Sequence, residues 1–401
     1  MKTGAWMRIV LVGLLALAFA GLDCGAAGAG APEAPWQHPA FPGQTRAPSM
    51  SAGVRFQVAT LARGLDHPWS LAFLPGGAML VTERVGRLRL IGPGGALSGP
   101  IAGVPKVQSG GQGGLFDVAL DPHFTADHLV YLAYLEPRRG GAGLTVARAR
   151  LVRQDGGGSL EGLQVIFRAQ PAAAGSINLG GRLVFLGDGT LIVTVGDRFT
   201  LASQAQSLAS DLGKLVRIRP NGSVPPDNPF VGRPGARPEI WALGVRNSEG
   251  AAIDPADGKL WLIDHGAAGG DRVIVAEKGR NYGWPVIAYG VNYNGSRIGV
   301  GTARRGFTQP IYYWDPDIAP SGMVFYDGRL APAWRGSLFI GALRGEDLVR
   351  LTLNGARVLG EERLLGGLHE RLRDVREGPD GALYLLTDSS RGRLLRLAPV
   401  R

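Results

Sequence analysis

Cysteine is all but missing: Cys24 is the only one in 401 residues. A single thiol excludes an internal disulfide framework and any cysteine-built metal site. Histidine is sparse as well. His38, His67, His123, His128, His265 and His369 show no metal-ligand clustering, and His67, His123 and His128 read as structural. There is no Gly-x-Ser-x-Gly elbow, His-Glu-x-x-His helix or Walker loop, which removes the commonest signatures of serine hydrolases, zinc proteases and phosphate-loop enzymes. Acidic residues are the minority charge, 33 against 43 Lys and Arg, for a net charge of +10. No dense basic run gathers that excess. It suits a site for small anions, and no nucleic-acid partner is expected.

Long apolar runs are absent except near the start. Lys2 and Arg8 precede Ile9–Leu22, a run short for a bilayer and of the right length for the core of a signal peptide. Residues 1–24 are therefore expected to be a signal peptide, cut after Ala20 or near Ala27, with Cys24 as a candidate lipid anchor. Residues 25–51, rich in Ala, Gly and Pro, read as a disordered linker. The remainder, 52–401, is expected in the periplasm or outside the cell, with no integral membrane segment after signal removal.

Abundant instead are Gly, 63 residues, and Pro, 27 residues, a composition of short strands and turns. One phrase recurs: an apolar strand, a turn with Pro, Asp or Gly, a second apolar strand, then a third after Gly. It begins at Trp69, Leu183, Ala251 and Val375, with looser copies near Phe116 and Met323. Strands such as Leu383-Tyr-Leu-Leu are apolar on both faces, so they belong in sheets covered on both sides. Six copies in about 350 residues, with no linker between them, predict an all-β, six-bladed β-propeller with four-stranded blades. A tandem of sandwiches is the competing all-β array. Phe56–Ala62 is expected to complete the last blade and close the ring.

Chemistry in such a ring belongs on the loops at one mouth. The polar, Gly-rich loops are those carrying Gln112, Asn178, Asp197, Arg246–Gly250 and Asp264–Arg272, with Arg344, Arg371 and Arg373 flanking the last two blades. The spacing of Arg371 and Arg373 puts both guanidiniums on one face of a strand, and planar forks of this kind suit carboxylates.

A set of ordered motifs then carries a resemblance. They are Gly-Gln112-Gly-Gly-Leu, Gly-Gly-Arg182-Leu-Val-Phe, Gly-Lys-Leu-Val-Arg217-Ile, Asp227-Asn-Pro-Phe, Ile-Trp241-Ala-Leu-Gly-Val-Arg246-Asn247, Asn281-Tyr-Gly-Trp-Pro285, Leu-Phe-Ile-Gly-Ala-Leu-Arg344 and Arg371-Leu-Arg373-Asp-Val. From about Leu65 to Leu397 the chain resembles the soluble aldose and glucose dehydrogenases that depend on pyrroloquinoline quinone (PQQ). The resemblance implies oxidation of an aldose at its anomeric carbon, with hydride transfer to the quinone and an external acceptor, a quinone or a cytochrome. It implies that Arg344, Arg371 and Arg373 bind the cofactor's carboxylates and quinone oxygens, and that Arg246 polarises a quinone carbonyl. Asn247 and Tyr312 would complete the cofactor pocket. Gln112 would touch the sugar, and Gly266 and Ala267 would offer carbonyls to Ca2+.

The family's general base is a His three residues before the Gly-Arg of the third blade. Here that position holds Asn178, with its helper kept as Asp197. A lapsed, purely binding propeller is the alternative that this exchange raises. Family members mostly carry Lys at the Arg344 position. Further departures are Glu249 where the family has Gln, and Arg272 where it has a Glu that binds a structural calcium in some members. A lactonase-type propeller would need inward carboxylates around a metal, whereas this mouth is rich in Arg.

Overall fold

The computed structural model describes residues 30–154 and 156–400. The expected signal peptide and Cys24 lie outside the described residues. Twenty-four strands form six four-stranded antiparallel sheets, and helix is confined to a few single turns among the described residues. The six-bladed propeller is borne out. The inner strands of blades one to six are Pro68–Phe73, Leu115–Leu120, Gly180–Phe185, Gly250–Ile253, Pro320–Phe325 and Leu372–Glu377. Each lies against the next, and the sixth returns to the first. Among the described residues, no helix is long and apolar enough to cross a membrane.

Closure follows the expected route. Phe56–Leu65 pairs antiparallel with Gly392–Pro399 as the outer strand of blade six. The first and last strands therefore share one sheet, and no inner edge is left open. Strands apolar on both faces feed an apolar cluster at every blade-to-blade interface. Leu132 and Leu80 meet between blades two and one, Val193 and Tyr131 between three and two, and Ile340 and Trp261 between five and four. No sheet can bury both faces alone, so the ring is one cooperative unit.

The axis of the ring is polar and dry. Arg182 is 1% exposed, and its guanidinium reaches Asp117 at 3.1 Å and Asp374 at 3.2 Å while lying 4.4 Å from the centroid of the Trp69 ring. Asp117 also accepts from Leu183 N at 2.8 Å, and Asp374 from Leu71 N at 3.1 Å. One cation thus fastens the inner strands of four blades. Breaking such a buried pair typically destabilises by about 3–5 kcal/mol.

The expectation of a disordered linker over 25–51 is corrected for residues 30–51. This segment is a strap packed on blades four and five. Gln44 is wholly buried and bonds Pro310 O at 2.8 Å and Tyr289 Oη at 3.2 Å. Ala34 N and Glu33 N both donate to Asp315, and Met50 N donates to Glu361 O. Small residues lie flat along the ring, and distant partners satisfy their backbone groups.

Candidate active site

In an antiparallel blade, the start of the inner strand and the end of the second strand emerge at the same mouth. The loops entering inner strands supply His67, Gln112, Asn178, Arg246–Glu249 and Arg371. The ends of second strands supply Arg84, Asp197, Asp264–Ala267, Leu343 and Asp388. The repeat itself therefore gathers polar residues at one end.

Many of them line a cavity of about 420 Å³, within the usual size for a small-ligand site. Its walls include Arg84, Gln112, Glu249, His265, Arg371 and Arg373. Arg373 bonds Asp388 at 2.6 Å and also pairs with Glu249. Burial opposes ionisation of Glu249, but Arg373 and His265 outweigh it and hold the carboxyl at about 2. The same balance, burial against Arg373, keeps Asp388 well below the usual carboxylate range. The charge of Arg373 is thus answered within the protein. Arg371 donates to Leu343 O at 3.0 Å and meets no carboxylate among the described residues. The Arg84 guanidinium has no hydrogen-bond or ion-pair partner among the described residues, while burial lowers its pKa. His265 Nε2 is buried without a hydrogen-bond partner, 3.7 Å from Glu249. A lining of free cations with an orphaned ring nitrogen fits an anionic ligand.

Asn178 and Asp197 form a closed pair behind this cavity. Asn178 Nδ2 donates to Asp197 Oδ1 at 2.8 Å, and Trp284 Nε1 donates to Asp197 Oδ2 at 2.7 Å. Asn178 N donates to Gln112 Oε1 at 2.7 Å, which ties the third blade to the expected sugar contact. Asp197 is wholly buried, and burial raises its pKa against the opposing pull of Arg246 and Asn178. Arg246 lies 5.4 Å from the Trp284 ring centroid and 6.0 Å from that of Tyr293. It lines a neighbouring cavity that shares Ala267 and Tyr293 with the first.

Gly266 and Ala267 line the first cavity, and Ala267 lines the second as well. A Cβ at Gly266 would come within 2.2 Å of Gly269 O, so only glycine allows this tight turn. Carbonyl oxygens are suitable calcium ligands. Among the described residues no group of three or more His, Cys, Asp or Glu side chains could hold a metal.

A family model described as glucose/sorbosone dehydrogenase matches residues 65–396. The chain belongs to that family. The aldose sugar dehydrogenase YliI of Escherichia coli is 43% identical over 353 residues, which cover 87% of this chain and 94% of that protein. A crystal structure of a glucose dehydrogenase, 49% identical, superposes with a TM-score of 0.83 over 85% of this chain and 99% of that one. The PQQ-bound form of an aldose sugar dehydrogenase from Streptomyces coelicolor, 28% identical, superposes with a TM-score of 0.70 over 86% and 100%.

Within this sugar dehydrogenase propeller, Gln112, Arg371, Arg373, Gly266 and Ala267 converge on one cavity, with Asn178 and Asp197 behind it and Arg246 beside it. Asn247 is adjacent but committed: its Oδ1 accepts from Gly180 N at 2.8 Å and its Nδ2 donates to Glu249 at 3.1 Å. Arg344 stands on the rim, half exposed, paired with Asp317 and, at 2.9 Å, with Glu33 of the strap. Tyr312 requires a correction. It sits on the outer strand of blade four, buried, with its hydroxyl donating to Glu361 at 3.1 Å and accepting from Ala47 N at 3.0 Å. It lines the strap's seat, and Tyr293 is the tyrosine at the mouth. Arg272 is buried in a pair with Asp264 at 2.5 Å, so that carboxylate already has its cation.

Sequence reasoning missed His67, Arg84 and Asp388. His67 Nδ1 lies 2.9 Å from Asp388 Oδ1. The available signal was the repeat offset: Asp388 follows the second strand of its blade much as Asp197 follows that of blade three.

Proposed function

We propose that the protein oxidises an aldose at its anomeric carbon, with PQQ and calcium held at the propeller mouth. The observation that carries this reading is the unanswered Arg84 guanidinium beside Arg371, a built seat for a planar polyanion. A family relative in PQQ-bound form supports it. When bound, PQQ supplies the quinone that accepts the hydride, and calcium polarises it. Arg84 and Arg371 hold carboxylates, Arg373 backs them from its pair with Glu249 and Asp388, Arg344 adds charge from the rim, and His265 Nε2 gains the partner it lacks. The Gly266 and Ala267 carbonyls hold the calcium. Gln112 orients the sugar. Arg246 stabilises negative charge that develops near it. Asn247 is a positioning residue: by bonding Gly180 and Glu249 it fixes the loop that carries Arg246.

Asn178 stands where the base is expected but cannot take a proton, because an amide oxygen is hardly basic. The proton leaves through Asp197 or water, and loss of a general base typically slows such a step about 10²–10⁴-fold. The reading is therefore a slow dehydrogenase that delivers electrons to an external quinone or cytochrome. The specific observation favouring a lapsed enzyme is the same closed Asn178–Asp197 pair. A periplasmic or secreted location, with residues 1–24 as the signal, belongs to this proposal.

The test is reconstitution with PQQ and calcium, followed by the quinone absorbance. Aldoses and an artificial electron acceptor are then added. Turnover by the unmodified protein establishes the dehydrogenase. Binding without turnover that Asn178→His restores establishes the lapsed enzyme. Absence of PQQ binding overturns both.

A further inference from the structure

Blade three lacks the imidazole expected of it, yet another carboxylate–imidazole pair opens on the same cavity. His67 Nδ1 lies 2.9 Å from Asp388 Oδ1, and both residues line the cavity together with Gln112. Burial opposes the charge of Asp388, but Arg373 at 2.6 Å outweighs it and keeps the carboxylate ionised. An ionised carboxylate only accepts hydrogen bonds. Nδ1 therefore carries the hydrogen, and in the neutral ring Nε2 keeps its lone pair. Nε2 makes no hydrogen bond among the described residues. The Asp388 side chain is sealed, 6% exposed, while that of His67 reaches out, 34% exposed. A buried carboxylate that orients an open imidazole is the arrangement in which histidine takes protons.

The backbone is held for this presentation. His67 has a φ of 45°, uncommon for a residue with a side chain. Two blades clamp it: His67 N donates to Ser389 O at 2.8 Å, and His67 O accepts from Arg84 N at 3.1 Å. Strain sustained at a mouth points to function. Asp197 is less available, because N–H groups of Asn178, Phe199 and Trp284 already occupy both of its oxygens.

We propose that His67, oriented by Asp388, is the general base of the reaction and takes the anomeric hydroxyl proton through a water. The anomeric O–H bond breaks, its proton passes to the water, and a proton of that water passes to Nε2. The anomeric C–H hydrogen leaves with its electron pair to the quinone, and the aldose becomes a lactone. The charged groups around the imidazole are Asp388, Arg373, Arg84 and Arg371 at the mouth, with Asp66 and Glu83 behind it, both paired to Arg87. A base has this use only in a dehydrogenase, so the proposal rests on that reading.

The experiment uses the full chain reconstituted with PQQ and calcium, with an aldose and an artificial acceptor. His67→Gln is expected to lower kcat about 10-fold, less than the usual loss of a base because water still carries the proton away. KM for the aldose is unchanged, and the acid limb of the kcat profile against pH disappears. In an Asn178→His background, where a direct base is present, His67→Gln costs nothing, whereas a structural role would cost the same in both backgrounds. Two readouts do not need turnover. PQQ affinity, followed by absorbance, is equal in His67→Gln and the unmodified chain. Nitrogen NMR of the cofactor-free chain places the His67 hydrogen on Nδ1, a preference that Asp388→Asn removes. Unchanged kcat, equal losses in both backgrounds, a hydrogen on Nε2 instead, or weaker PQQ binding, which would make His67 a cofactor contact, overturns the proposal alone. An unmodified chain without turnover sinks the dehydrogenase reading and the base with it.

Discussion

Two carboxylates at the same mouth each hold a side chain from a loop that enters an inner strand, and their other neighbours make them opposites. Asp197 holds Asn178, and its remaining contacts are the neutral Trp284 and Phe199 N–H groups. Burial therefore wins and its pKa rises. Asp388 holds His67, but the Arg373 guanidinium sits 2.6 Å away and keeps it ionised well below the normal range. The first pair is sealed and holds an amide that cannot carry a proton. The second is half open and holds an imidazole that can. Position in the repeat puts a carboxylate at the mouth, and its partners decide what it can do.

The strongest way to break the contrast is to restore an imidazole in the sealed pair. Asn178→His should raise turnover of reconstituted enzyme about 10²–10⁴-fold, with little change in aldose KM, by steady-state kinetics. Next is removal of the cation that defines the second pair. Arg373→Ala leaves Glu249 and Asp388 buried without their shared partner, and urea unfolding should show a loss of about 3–5 kcal/mol.

The pairs should also part in their pH dependence. Asp388, with its depressed pKa, stabilises the fold above the unfolded value of about 3.9 and loses that contribution as pH falls below it. Asp197, with its raised pKa, loses stabilisation as pH rises from about 4 toward its folded value. Unfolding midpoints between pH 3 and 6 should therefore slope less steeply on the acid side in Asp388→Asn, and more steeply upward with pH in Asp197→Asn. The smallest effect belongs to His67→Ala. Arg373 still neutralises Asp388, and His67 is partly exposed, so a loss below about 1 kcal/mol is expected in the same assay.

The architecture was legible because each blade repeats one apolar strand–turn–strand phrase. Phe56–Ala62 was recognisable as the closing strand because a ring needs one, and the observed strand runs on to Leu65. The cluster of Gln112, Arg371 and Arg373 followed from where antiparallel hairpins put their ends. What stayed hidden depends on contacts far apart in the chain. His67 and Asp388 are 321 residues apart, and the local His-Pro dipeptide says nothing of a mouth. Tyr312 reads as a pocket aromatic, yet its place on an outer strand turns it toward Ala47, 265 residues earlier. The strap looked disordered because composition reports how little a segment can bury by itself. Gln44 is buried by other parts of the chain.

The strand that completes blade six comes first in the chain and its partner comes last. Phe56–Leu65 cannot make its native pairing until Gly392–Pro399 has left the ribosome, so the ring cannot shut before then. Blades can assemble in order as the chain emerges, but the final seam waits for the last strand of blade six. A premature stop anywhere before the last strand leaves an open arc with a bare sheet edge at its end, a template for aggregation with other such fragments. Completion of the mouth is thus tied to the arrival of one strand far from its partner in sequence.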